Sequence, residues 1–187
     1  MISFREIVID DAKKILDWRT SERITKFLNS DMSYDVDAQK RWLEGSFNKP
    51  NYYHWIIQYG GEDVGLLNFV DWNREDKTTS WGFYIGEESA LGLGGLVPPY
   101  FYNFAFDKLS VDKILAEVFY NNTSVIDLNL KQGYTFDPIR DHVIEKNGKT
   151  ILMVCMSLDK QDFKASKISR LKQHLPTLKW SDSPFEK

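Results

Sequence analysis

The segment from Trp81 to Leu96, Trp-Gly-Phe-Tyr-Ile-Gly-Glu-Glu-Ser-Ala-Leu-Gly-Leu-Gly-Gly-Leu, constrains the fold of this chain more than any other. An alternating strand runs into a loop with glycines at 92, 94 and 95, and the loop opens onto an amphipathic helix. Glycine permits positive φ and close approach of a ligand to the backbone. The first turn of a helix adds free N–H groups and the positive end of its dipole. Such a turn suits an anion, above all a phosphate or pyrophosphate. Gly-x-Gly is also an ordinary turn, and neither common phosphate-loop signature is present. A Walker loop would close on Gly-Lys-Ser/Thr where this one closes on Gly94-Gly95-Leu96, and a dinucleotide fingerprint belongs in a first βαβ unit rather than in mid-chain.

With 187 residues and 42% hydrophobic content, the chain can bury one core. A single domain over residues 1–160 is expected, followed by an extension over 161–187 that begins as a helix and ends frayed. A net charge of −3 argues against a nucleic-acid partner. The lone cysteine, Cys155, excludes a disulfide framework and a cysteine-cluster metal site, and Ile151-Leu-Met-Val-Cys-Met156 reads as a buried strand. No signal peptide precedes Phe4 and no apolar run reaches the length of a membrane span, so a soluble cytoplasmic protein without a membrane partner is expected.

Periodicity gives a mixed α/β order. A strand over 1–8 leads to a helix carrying Ile15, Leu16 and Trp18, capped by Asp10 or Asp11. A second helix starts near Asp35 or Asp37 and covers Trp42, Leu43 and Phe47. A hairpin over 54–59 and 63–71 turns at Gly60-Gly61, and strands follow over 78–85 and 113–119 around a helix over 96–109 that has Pro98 and Pro99 in its first turn. A short helix over 125–131 ends at Gly133, and a last hairpin over 134–145 and 150–158 turns at Asn147-Gly148.

This order resembles the GCN5-related N-acetyltransferase (GNAT) family. Its phosphate loop, Gln/Arg-x-x-Gly-x-Gly/Ala, is matched at both glycines but not at the leading residue by Ser89-Ala-Leu-Gly-Leu-Gly94. Its second signature, a strand, an Asn, a short helix and Gly-Phe/Tyr, looks like Glu117-Val-Phe-Tyr-Asn-Asn and onward to Gly133-Tyr134. The resemblance implies a mostly antiparallel twisted sheet flanked by helices, in which one pair of parallel strands splays to admit the pantetheine arm of acetyl-CoA. Here the backbone of Phe83, Tyr84 and Ile85 would hold pantetheine, with Asn122 beside it, unless Asn122 is a plain turn residue. The N–H groups of Leu91, Gly92, Leu93, Gly94, Gly95 and Leu96 would hold the pyrophosphate. The expected partners are acetyl-CoA and a small amine, with no metal, in a monomer or homodimer.

Direct attack of a neutral amine on the thioester needs an acceptor for the amine proton and a donor to the leaving thiolate. Family members use a Tyr as that donor, and the matching residue here is Asn129, which cannot titrate. Glu117, an ionisable group in an apolar strand, is the candidate general base, or else a partnered or outward-facing charge. Ser80 stands where relatives carry Glu and could relay a proton through water. Asp127 is expected at the surface and Tyr134 in the core.

On the acceptor side, Asp17-Trp-Arg-Thr20 resembles the Trp-Arg-Asn segment of acetyltransferases for nucleotide-linked amino sugars of the pseudaminic acid pathway, although Thr20 replaces Asn and Gln39 stands where those relatives have His. Arg19 could reach a diphosphate, while Trp18 either stacks on the substrate or packs in the core. His54 is a substrate contact or a structural histidine. The reading is an acetyl-CoA-dependent N-acetyltransferase for a UDP-4-amino-4,6-dideoxy sugar. The alternatives are a protein N-terminus or another small amine as acceptor, or a CoA-binding module that has lost catalysis.

Overall fold

The computed structural model describes residues 1–30, 33–47 and 49–170, so most of the expected C-terminal extension lies outside the described residues. Alternation of apolar and polar residues produces eight strands: β1 (Ile2–Glu6), β2 (Tyr53–Tyr59), β3 (Glu62–Asn73), β4 (Thr78–Ile85), β5 (Lys113–Phe119), β6 (Thr135–Phe136), β7 (His142–Lys146) and β8 (Lys149–Asp159). They form one sheet in the order β1-β2-β3-β4-β5-β8-β6, with β7 also on β8. Every pairing is antiparallel except β4 with β5. The helices are α1 (Ala12–Thr20), α2 (Glu22–Thr25), α3 (Val36–Ser46), α4 (Pro98–Lys108), α5 (Thr123–Lys131) and α6 (Lys160–Ala165). None of them is long and apolar enough to cross a membrane.

Two layers of helices cover the two faces. Helix α4 packs Phe101, Phe104 and Ala105 against Trp55, Leu67, Ile114 and Ala116. On the opposite face, α1 and α3 pack Ile15, Trp18 and Leu43 against Ile56 and Leu66. Because strand residues alternate in direction, Ser80, Gly82, Tyr84, Leu115 and Glu117 belong to the α1/α3 face.

Several boundaries differ from the sequence expectation for identifiable reasons. Asp11 does precede α1, but its carboxylate grips Arg5 at 2.7 and 2.8 Å and the Val8 N–H instead of capping the helix. Asp35 caps α3 by accepting from the Ala38 N–H. The expected strand over 134–145 breaks into β6, a 3₁₀ turn over Pro138–Arg140 and β7, since Pro138 has no N–H for a ladder. Asn147 and Gly148 both take positive φ, 50° and 69°, as a type I′ turn requires. Helix α5 closes in a Schellman motif: Gly133 at φ 99° donates to the Leu130 carbonyl and Tyr134 to that of Asn129.

The position of α1 depends on one glycine. The Trp18 ring lies against Gly86, where an added Cβ would fall 2.3 Å from the indole, and its Nε1 donates to Glu87 at 2.8 Å. Gly86→Ala is expected to expel the ring and destabilise the protein by about 1–3 kcal/mol. A thermal melt should then fall by at least roughly 2–4 °C; an unchanged melting temperature would disprove this docking.

Candidate active site at the parting of two strands

The parallel ladder between β4 and β5 ends after three registers, Thr78 with Lys113, Thr79 with Ile114 and Ser80 with Leu115. From Trp81 onward β4 still pairs with β3, and β5 with β8, but the two strands no longer pair with each other. Their facing edges therefore present backbone donors and acceptors to whatever enters the gap. Arg23 occupies the far end, donating to the carbonyls of Ile85 at 2.9 Å and Gly86 at 2.7 Å. Of the backbone expected to hold pantetheine, the Ile85 carbonyl is thus already engaged and the Tyr84 carbonyl is turned towards Gly65 of β3, contrary to expectation, which leaves Phe83 on the open edge.

The glycine loop lies just past this gap. It forms a 3₁₀ turn over Glu88–Leu93, pinned at its ends by the buried Ala90 and Val97. Gly92, Gly94 and Gly95 do not have positive φ, contrary to the reason first given for them. Nor does the protein's own packing require them: a Cβ at Gly92 would meet nothing within 4 Å, and at Gly95 only a Leu128 methyl at 3.8 Å. What their missing side chains leave open is the outer surface of the turn, which suits close approach by an external group. The expected row of free amides is shorter than the sequence implied. Gly94 donates to the Leu91 carbonyl and Leu96 to that of Leu93, and Pro98 and Pro99 remove two donors from the start of α4. Gly95 keeps its N–H without an internal partner among the described residues.

A buried network that sequence reasoning missed ties this loop to the gap. Trp81, stacked between Phe83 and Phe101, donates through Nε1 to the Tyr134 hydroxyl at 2.9 Å. The neighbouring Tyr102 donates to Gln132 at 2.7 Å, and Gln132 Nε2 donates to the Gly95 carbonyl at 3.3 Å. Tyr134 is core, as expected, and burial raises the pKa values of both tyrosines. Asn129 is buried as well, its Nδ2 on the Met156 sulfur at 3.7 Å. Asn122 occupies the N-cap position of α5 without a side-chain capping bond, and Asp127 is exposed.

Glu117 stands on the open limb of β5, on the α1/α3 face. Its carboxylate lies 3.7 Å from Arg140 and 3.8 Å from His142 Nε2, so both readings of this residue, partnered and solvent-accessible, hold together. Cys155 pairs with it across the strands, and one possible ligand atom each from Glu117, His142 and Cys155 lie within 4.8 Å of one another. The thiol, however, donates to the Arg140 carbonyl at 3.1 Å, and burial followed by the Glu117 charge raises its pKa. Ser80 marks the last paired register before the gap.

The three expected acceptor residues separate. Trp18 is a packing residue held by Gly86 and Glu87. Arg19 and His54 come together around Trp42 and Tyr52: the guanidinium stands 5.7 Å over the Trp42 ring, and His54 lies 5.2 Å from Trp42 and 4.6 Å from Tyr52. His54, Asn68 and Gly82 form one cross-strand row leading to the gap. Tyr52 and Asn68 were not singled out from sequence, whereas Trp42 was grouped with the Trp-Arg segment on the acceptor side. Their common location becomes visible only once β2, β3 and α3 are in register. Burial first, then Arg19 and Lys49, depresses the His54 pKa to about 3, so the imidazole is neutral at physiological pH.

A family model described as an acetyltransferase (GNAT) domain matches residues 4–155. Acetyltransferase PseH from Campylobacter jejuni serotype O:2 is 24% identical over 140 residues, 74% of this chain and 87% of that protein. The counterpart from serotype O:23/36 is 22% identical over the same length. Among solved structures, spermidine N-acetyltransferase from Vibrio cholerae in complex with CoA and spermine superposes with a TM-score of 0.78 at 14% identity, covering 87% of this chain and 98% of that one.

The buried neutral His54 has a consequence for stability. Above pH about 6.5 the ring is neutral whether the chain is folded or not; below it the unfolded chain takes up a proton that the folded one refuses. Stability should therefore fall as pH drops from about 6.5 towards 4, with up to about 1.4 kcal/mol per pH unit from this residue. His54→Gln should remove that part of the slope in denaturant titrations, and an unchanged slope would place His54 elsewhere.

Proposed function

Because the chain belongs to the GNAT acetyltransferase family, and so is an acetyl-CoA-dependent N-acyltransferase, we propose that it acetylates the primary amine of a UDP-4-amino-4,6-dideoxy sugar. The observation that carries the acceptor class is the charge around the aromatic group of Trp42, Tyr52 and His54. Arg19 stands over Trp42 and Lys49 over Tyr52 at 5.5 Å, and these cations are the two charges that act on His54. A diphosphate gains from that field and a polyamine does not. The resemblance of Asp17-Trp-Arg-Thr20 to amino-sugar acetyltransferases supports the same class.

Acetyl-CoA supplies an activated thioester. The open edge of β4 at Phe83 bonds the pantetheine arm, Asn122 assists from its uncommitted side chain, and the Gly92–Gly95 turn receives the pyrophosphate with the Gly95 N–H among its donors. Gln132 holds that turn in place through the Gly95 carbonyl. Arg19 anchors the acceptor so that its neutral amine faces the thioester carbonyl. The C–N bond forms as the C–S bond breaks, and the amine's proton passes to Glu117, directly or through water at Ser80. Asn129 cannot return a proton to the thiolate, which takes one from solvent.

Acceptor and cofactor ends can be separated kinetically. Arg19→Ala should raise KM for the UDP-amino sugar by about tenfold or more, the cost of a lost charge-assisted bond, while KM for acetyl-CoA stays within about twofold. Thiol release on mixing with a panel of amines checks this, and faster turnover of spermidine than of the amino sugar would overturn the reading. Asn129 alone favours a CoA-binding module without turnover. If the site is live as described, Asn129→Ala should change kcat by less than about threefold, since the amide moves no proton. Acetyl-CoA binding without thiol release from any amine of the panel would favour the inactive module.

A further inference from the structure

Buried polar atoms without partners are rare in folded proteins, and each one calls for a ligand, a water or a function. Here five such atoms belong to residues of the α1/α3 side, while Arg140 Nη1 lies apart beside Asp137 and Glu117. Both ring nitrogens of His54, the Tyr84 hydroxyl, Gln39 Nε2 and Arg19 Nε are buried and have no hydrogen-bond partner among the described residues. His54 and Gln39 are only 3% and 2% exposed. Gln39 and Trp42 are three residues apart on α3, hence on one side of it, and Trp42 lies over His54. Tyr84 enters from β4, close enough to feel the Arg19 charge and the neighbouring Tyr52 phenol.

The sheet beside these groups carries no side chain at Gly82. Gly82 sits between Asn68 and the gap, and a Cβ there would press on Asn68 Oδ1 at 3.1 Å. The row His54–Asn68–Gly82 crosses two strand spacings, so His54 lies roughly 10 Å from the edge where the thioester carbonyl must sit. A distance of that order matches the length of a pyranose with its glycosidic phosphate.

Resting on the nucleotide-sugar reading above, we propose that Gln39, His54 and Tyr84 form a hexose subsite: the sugar's hydroxyl and ring oxygens take these orphaned groups, its C–H face lies on Trp42, and its phosphates meet Arg19 and Lys49. The chemistry on both sides matches. Neutral imidazole offers one donor and one acceptor, Gln39 donors and Tyr84 a rotatable hydroxyl, the complement of a polyhydroxylated ring. These are specificity residues rather than catalytic ones, since none of them reaches the reacting carbon.

The test is calorimetric binding of UDP-glucose, UDP and UMP to the full chain in the presence of CoA, with wild type, Tyr84→Phe and His54→Asn. UDP-glucose has no amine, so only binding is read, and retained CoA affinity shows that each variant is folded. The expected result is UDP-glucose binding at least tenfold tighter than UDP, with the advantage lost in both variants and UDP affinity unchanged. Equal affinity for UDP-glucose and UDP in wild type would overturn the hexose subsite while leaving a diphosphate acceptor standing. An advantage that persists in both variants would likewise overturn the assignment of these residues. No binding of any of the three nucleotides would overturn the acceptor class, and the subsite with it.

Discussion

The parting of β4 from β5 after Ser80 and Leu115 is the constraint on which the rest of the structure depends. In the middle of a sheet, unpaired N–H and C=O groups are costly, and a chain ordinarily closes them with its own backbone. Here closure is prevented on both sides. Strand β5 is held over its whole length by β8, and β4 by β3, so neither can lean across. The stack of Trp81 with Phe83 and Phe101 fixes the β4 limb from the α4 side, and Trp81 is further tied to Tyr134. The gap is thus a rigid absence, preorganised for an amide-bearing arm.

Two groups of buried polar side chains flank it, and they differ in one respect. On the α4 side Trp81 bonds Tyr134, Tyr102 bonds Gln132 and Gln132 bonds the Gly95 carbonyl, with the two tyrosine rings edge to face, so these groups are satisfied within the protein. On the α1/α3 side, among the described residues, the His54 ring nitrogens, the Tyr84 hydroxyl, Gln39 Nε2 and Arg19 Nε lack partners. The cofactor end is therefore built to hold its shape, and the acceptor end to be completed by what binds there. The depressed His54 pKa expresses the same imbalance, an imidazole desolvated and set beside cations with no acceptor to support its protonated form.

Local signals in the chain anticipated the strands and helices well wherever one pattern dominated. The bounds 78–85 and 113–119 agree with β4 and β5, and the Gly-Gly and Asn-Gly turns and the Gly133 helix end follow from backbone chemistry alone. The strand expected over 134–145 failed at Pro138, a breaker that its apolar neighbours outweighed. The glycine loop was recognised for a partly wrong reason: its glycines serve external access and not positive φ, and two neighbouring prolines deprive the helix start of donors.

What the sequence by itself determined is the order of elements, the GNAT signatures and the absence of a titratable group at Asn129, because each is written in residues close together along the chain. Only the tertiary structure decided that Trp18 packs while Arg19 stands over Trp42, that Glu117 lies beside Arg140 and His142, and that Gln39, His54 and Tyr84 are buried with polar atoms lacking partners among the described residues. Those residues lie tens of positions apart, on helices and strands whose register is set by burial across the whole sheet. No local pattern records which polar group a distant one will leave unpaired.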